Sequence, residues 1–265
     1  MHRRARRLLV GLTASLIAMG SLGTGVVQSA SAAAGPNAAE AQQAAIWMAA
    51  QLDDSGTFPN PDLPAPDYGL MIDAVFAMHA AGRPELASPI MDNLGKPSDP
   101  GALNFWRYQG AGIETITVGA LAKTTLAIEV SGRNPRDFAG VDHVHELEQS
   151  IRQADDGVAA PELFYNQTIE GGATTFSMGN GFDQAFGVIA LSGVDRLPDT
   201  VTGAYVTHFQ CPAGYWMITA DLTGRTCAEL IDSGTTPAPD RDATAMALSA
   251  LLTARDSGAP GLGAA

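Results

Sequence analysis

Basic side chains are scarce in this chain of 265 residues: 15 Lys and Arg stand against 28 Asp and Glu, a formal charge of −13. Nucleic-acid binding needs clustered Lys and Arg for phosphate contacts, so this balance argues against it. It argues equally against anionic membrane surfaces. Charge of either sign is also sparse, at 16%, while 46% of the residues are hydrophobic. An acidic disordered chain would show the reverse. Aromatic residues reach only 6%. That is little material for a carbocation-stabilising pocket, which works through aromatic faces. No G-x-S-x-G elbow is present, and no Gly-rich phosphate loop follows a strand pattern. After residue 27 no apolar run is long enough to span a bilayer, so a processed chain carries no membrane span.

The one long apolar run lies at the start. Arg3, Arg4, Arg6 and Arg7 precede an apolar stretch from Leu8 to Val27, and Ala30-Ser31-Ala32 follows as a small-residue cleavage site. This pattern predicts a signal peptide over 1–32 and a secreted, extracellular protein, with the cell envelope as a possible destination. Only two cysteines occur, Cys211 and Cys227. In an oxidising compartment they are expected to form a disulfide.

Residues 33–40 read as a flexible lead-in and 257–265 as a flexible tail. Between them, over 41–256, apolar residues recur at helical spacing in four paired segments, each pairing a more polar helix with a more apolar, Ala-rich one. The apolar members end near Gly82, Gly132, Gly193 and Gly258, about 50 to 65 residues apart. Helical units at that period predict a stacked array, with the small-residue helices in an inner ring and the charged ones outside. No strand pattern stands out; Tyr205–Gln210 has β-forming residues at a spacing that also suits a helix.

The fourth unit holds the most specific motif: Tyr205-Val206, then Gln210, Gly214 and Trp216. A degenerate copy stands at Trp47, Met48, Gln51, Gly56 and Phe58. The spacing resembles the QW repeat of the terpenoid cyclase/protein prenyltransferase α/α-toroid superfamily, in particular the prenyltransferase/squalene-oxidase repeat proteins exported by actinobacteria. The resemblance covers about residues 40–256. It implies an all-α toroid, here incomplete with about four hairpins, in which Gln caps a helix end and Trp stacks over it. Asp242–Leu251 is similar, over a short Ala-rich stretch, to transcobalamin-like vitamin B12 binders that share the toroid.

Class II cyclases of that superfamily carry Asp-x-Asp-Asp with the middle Asp as the protonating acid. The resemblance places Asp242 at the acid position and Asp240 at the first Asp, with Ala243 where the last Asp belongs. Asp242 as a helix N-terminal cap is the competing reading. Asp53-Asp54 and Asp155-Asp156 lack the third Asp of a diphosphate-binding Mg²⁺ motif. His143-x-His145, and His208 with Cys227, are the remaining metal candidates, and no metal site or cofactor is assigned. Asp73 and Asp183 lie on apolar helices; with Asp242 and Lys123 they are the candidate ligand-binding residues, and Lys123 can pair with one of them.

These observations predict a non-catalytic toroid repeat protein that binds a hydrophobic or isoprenoid-like small molecule, or an envelope protein, in or at its cavity. A terpene cyclase or prenyltransferase using Asp242 as acid is the alternative, and a vitamin B12 binder a lesser one. With four hairpins the last repeat would leave an apolar side uncovered, which predicts a homodimer through that open C-terminal repeat.

Overall fold

The computed structural model describes residues 35–59, 66–96 and 105–259. The expected signal peptide and most of the expected tail lie outside them, as do residues 33–34 of the lead-in. In chain order the elements are α1 (Ala38–Ala49), α2 (Tyr68–Ala80), a 3-10 turn (Pro84–Ala87), α3 (Ser88–Leu94), β1 (Arg107–Gly110), β2 (Ile113–Ile116), α4 (Val118–Val130) and α5 (His143–Glu148). A second 3-10 turn (Ala154–Asp156), β3 (Tyr165–Glu170), β4 (Ala173–Met178), α6 (Gly181–Gly193), α7 (Asp199–Phe209), α8 (Cys227–Asp232) and α9 (Arg241–Asp256) complete the chain.

Four long helices, α2, α4, α6 and α9, pack side by side in that order. All four end in the same way. The N–H of Arg83, Arg133, Arg196 and Ala259 donates to the carbonyl five residues earlier, on Met78, Ile128, Leu191 and Ala254, at 2.8–3.0 Å. The residue before each donor has positive φ: Gly82, Gly132, Asp195 and Gly258. This is the Schellman ending, which satisfies carbonyls left over at the helix terminus. The third repeat therefore ends at Asp195 rather than Gly193, which makes the last two repeat intervals equal.

An all-α fold is overturned by the sheet. Four strands form an antiparallel meander in the order β1-β2-β3-β4. Each half is a hairpin set directly before a long helix, β1–β2 before α4 and β3–β4 before α6. The two-residue turns are Ala111-Gly112 and Gly171-Gly172, all four at positive φ. That is the type I′ geometry whose twist matches the strands it joins. The strands are short and half-exposed, with Thr, Gln and Asn where a buried strand would alternate apolar residues, so no period-2 signal betrays them. Other boundaries differ too. The amphipathic run Val141–Ala154 reads as one helix but the helix stops at Glu148, and Cys227–Asp232, within a stretch that reads as loop, is helical behind the Thr226 cap.

The helices approach closely because small residues line their contacts. A Cβ on Gly187 of α6 would lie 2.6 Å from the Phe164 ring, and one on Gly119 of α4 would lie within bonding distance of the Asp183 carboxyl. On α9, Ala243, Ala247, Ala250 and Ala254 form the buried stripe. One apolar core joins α4, α5, α6, α7 and α9, a second joins α1, α2 and α3, and Ala127 and Ile128 of α4 sit in the second.

The fourth repeat is held by Tyr205, Gln210 and Trp216. The Tyr205 hydroxyl donates to the Gly181 carbonyl at 2.8 Å, and its ring lies 4.6 Å from the Trp216 ring, centroid to centroid. Trp216 bridges by backbone to Gln210 and to Asp240, and its N–H donates to Thr244 Oγ1 at 3.0 Å. Gln210 acts through its backbone; it is Gln51, in the degenerate copy, whose side chain caps a helix, donating to the Trp47 carbonyl at 3.1 Å. The disulfide Cys211–Cys227 closes the loop that carries Trp216, over a small apolar cluster with Met217 and Leu230.

A cross-link closing a loop of this length contributes about 3 kcal/mol by limiting the unfolded chain. The Cys211→Ser/Cys227→Ser double variant is expected to lose about that much stability in urea unfolding. A loss under about 1 kcal/mol would mean that the loop around Trp216 is held without it.

Candidate functional site

Counting back from the shared helix ending gives equivalent positions on the four long helices. Six residues before it stand Phe76, Leu126, Ile189 and Leu252; nine before it, Asp73, Lys123, Phe186 and Ser249; twelve before it, Leu70, Ala120, Asp183 and Met246. None of these is fully buried, whereas most of their neighbours on α4 and α6 are. They form a partly exposed stripe that the shorter described elements leave open. Contacts between stripes make them one surface. The Phe76 and Phe186 rings stack at 6.4 Å with 16° between planes, although α4 lies between their helices. Lys123 Nζ sits 2.7 Å from Asp73 Oδ1 and donates to the Gly69 carbonyl at 3.2 Å.

The surface is therefore apolar with one embedded ion pair. The Lys123 side chain is 18% exposed and the Asp73 side chain 58%. An ammonium buried to that degree needs partners, and Asp73 with the Gly69 carbonyl supplies them. Beside them, Asp183 closes a capping box at the start of α6. Its carboxylate accepts the Asn180 N–H at 2.8 Å, while burial raises its pKa despite that bond. Asp183 packs against Gly119, one helical turn before Lys123.

The remaining candidates lie elsewhere. Asp240 is the N-cap of α9, its carboxylate accepting the Ala243 N–H at 2.7 Å. Asp242 is exposed in the first turn of the same helix. The cap is thus Asp240, two residues before the position the sequence pointed to. Asp53 is taken up by Ser55 and Thr57, whose side chains and N–H groups donate to it, and these hold its carboxyl well below the usual range. His143 is buried between Trp106 and Phe138, ring centroids 5.4 and 5.9 Å away. Leu248 and Leu252 of α9 are exposed.

Sequence reasoning missed Phe76 and Phe186 as surface residues; their only signal was a place in the stripe, which needs the true helix ends. It also missed Glu129. Glu129 is the sole buried acid of the described residues, 5% exposed, with Oε1 unpaired and Oε2 where a Cβ of Gly193 would fall. Burial pushes its carboxyl up to about 8. A cavity of about 240 Å³ opens near the ends of α2 and α4, lined by His79, Glu85, Ser88, Met91, Ser131 and Arg133 among others. No helix of the described residues is long and apolar enough to cross a membrane.

Comparison with family models, with curated proteins and with solved structures finds no match to this chain. The chemistry of Glu129 gives a direct check on the packing of α4 against α6. Between pH 4.5 and about 8 the folded chain keeps a proton that the unfolded chain has lost. Stability thus falls as pH rises through that window and levels off above it. In Glu129→Gln this contribution vanishes. The difference in thermal midpoint, variant minus wild type, is expected to grow in the variant's favour from pH 4 to about 8. A difference independent of pH would place Glu129 in water.

Proposed function

We propose that this is an exported, non-catalytic binding protein, and that the uncovered face of α2, α4 and α6 receives an apolar or amphiphilic small molecule. The observation that carries the reading is the pair of stacked rings, Phe76 and Phe186, meeting across α4 on a face that also presents Leu70, Leu126 and Ile189. Apolar surface left in water is costly, and a patch rimmed by polar residues is where an apolar partner gains most. The Lys123–Asp73 pair suits an amphiphile. A ligand head group can take a hydrogen bond from the ammonium or replace the more exposed Asp73 as its partner.

The catalytic alternative finds less support. A protonating acid has to be shielded from water and flanked by groups that keep it protonated. Asp240 spends its carboxylate on a helix cap, and Asp242 stands exposed without a second carboxylate bonded to it. Export supports the same preference, since the basic n-region, apolar stretch and cleavage site send the chain away from the cell's isoprenoid diphosphates.

The test is equilibrium binding of N-phenyl-1-naphthylamine, followed by fluorescence, with farnesol as competitor. Saturable binding is expected. Removing a buried Phe contact costs about 1.5–3 kcal/mol, so Phe186→Ser should weaken binding by tenfold or more. Leu222→Ser, at a residue 75% exposed in a loop outside α2, α4 and α6, should leave it unchanged. Equal losses in both variants, or no saturable binding, would overturn the reading. Turnover of a polyprene that Asp242→Asn abolishes would put the enzyme in its place.

A further inference from the structure

The two edges of the sheet differ. Register decides which backbone groups each edge presents. In the Gly171-Gly172 hairpin the closing pair is Glu170 and Ala173, which exchange both of their hydrogen bonds, and the pattern then alternates along the ladder. Thr175 and Ser177 consequently bond to β3, while Thr174, Phe176 and Met178 turn N–H and C=O away from the sheet. The same alternation, carried across to β1, calls for a bond between Trp106 and Thr117, and the Thr117 N–H donates to the Trp106 carbonyl at 2.7 Å. Among the described residues no backbone group bonds to the outward groups of β4 from outside the hairpin.

Natural sheets blunt such an edge with Lys, Pro, a bulge or an inward charge. β4 reads Ala-Thr-Thr-Phe-Ser-Met and has none of these. At the other edge, β1 presents only Arg107 and Gln109 outward, and Arg107 is ion-paired with Glu114 and Glu146.

We propose that β4 pairs antiparallel with β4 of a second copy of this chain, joining two four-stranded sheets about a two-fold axis. The strand is self-complementary. Centred on Phe176, the pairing sets Phe176 opposite Phe176 and Thr174 opposite Met178 as hydrogen-bonded pairs. Thr175 falls opposite Ser177 between them. Charge selects the same occupant. On a chain of net charge −13 most self-contacts repel, but an uncharged strand brings no like charges face to face. The Phe176 ring is already held in place, with the Arg152 guanidinium 4.7 Å from its centroid. A two-fold contact of identical strands closes on itself and stops at the dimer.

Sedimentation equilibrium of the exported chain tests this. The average mass is expected to rise toward two copies by about 100 µM, where a micromolar Kd is saturated. Thr174→Pro deletes an outward N–H that β3 does not use, and Thr174→Lys adds an edge charge while keeping that N–H. Both should weaken self-association by roughly tenfold or more, the loss of about 1.4 kcal/mol, with unchanged circular dichroism. Leu248→Asp, on the exposed side of α9, should leave the dimer intact. A monomer at every concentration would overturn the proposal. So would a dimer that both Thr174 variants preserve, or one that Leu248→Asp alone dissolves.

Discussion

Close approach of helix to helix, with glycine or alanine on one side of each contact, is the constraint on which this fold depends. Gly119 of α4 gives its space to Asp183 of α6, Gly187 of α6 gives its space to Phe164, and Gly193 of α6 gives its space to Glu129 of α4. On α9 four alanines do the same work. Dispersion between surfaces packed this closely is large in sum, and a cavity or an extra methyl group is felt at once. The close packing has two consequences. It buries a carboxyl at Glu129 that must stay protonated to be tolerated. It also leaves the larger side chains, Phe76, Leu126, Phe186 and Ile189, only partly buried on a stripe that the short described elements leave open.

The repeat geometry carries that stripe from helix to helix. Because the long helices end in the same αL turn, residues at equal distance from the turn stand at comparable height. Positions that look unrelated in sequence therefore become neighbours: Asp73 meets Lys123 at the same height, and Phe76 meets Phe186 with one helical turn of offset. The hairpins before α4 and α6 add a sheet at the opposite end of these helices. Asn166 of β3 ties the two parts together, its side-chain oxygen accepting the Val118 N–H at the start of α4 at 2.8 Å.

The helices were legible because their apolar residues repeat every three or four positions and a glycine or a polar turn stops them. The disulfide was legible from two cysteines behind an expected export signal, and it forms. The sheet was not. Its strands are four and six residues long, and most of their side chains are exposed or half-buried, so hydrophobic alternation is missing. The signal that was available is chemical: Ala-Gly and Gly-Gly, each between segments that hold Tyr, Thr, Ile or Phe, is turn chemistry for a hairpin. In the candidate site, the partnership of Lys123 with an acid could be read from the sequence. The proximity of Asp183 to Gly119 and the exposure of the two phenylalanines could not, because both depend on how closely α4 and α6 approach.

The partly exposed face of α2, α4 and α6 is proposed as the place where an apolar molecule sits. Photo-crosslinking with a diazirine-bearing fatty alcohol, followed by peptide mapping, tests it most directly. Adducts concentrated within 68–80, 118–130 and 181–193, and displaced by excess unlabelled alcohol, are the predicted result. Adducts confined to exposed loops such as that of Leu222, or spread over the surface without competition, would contradict it.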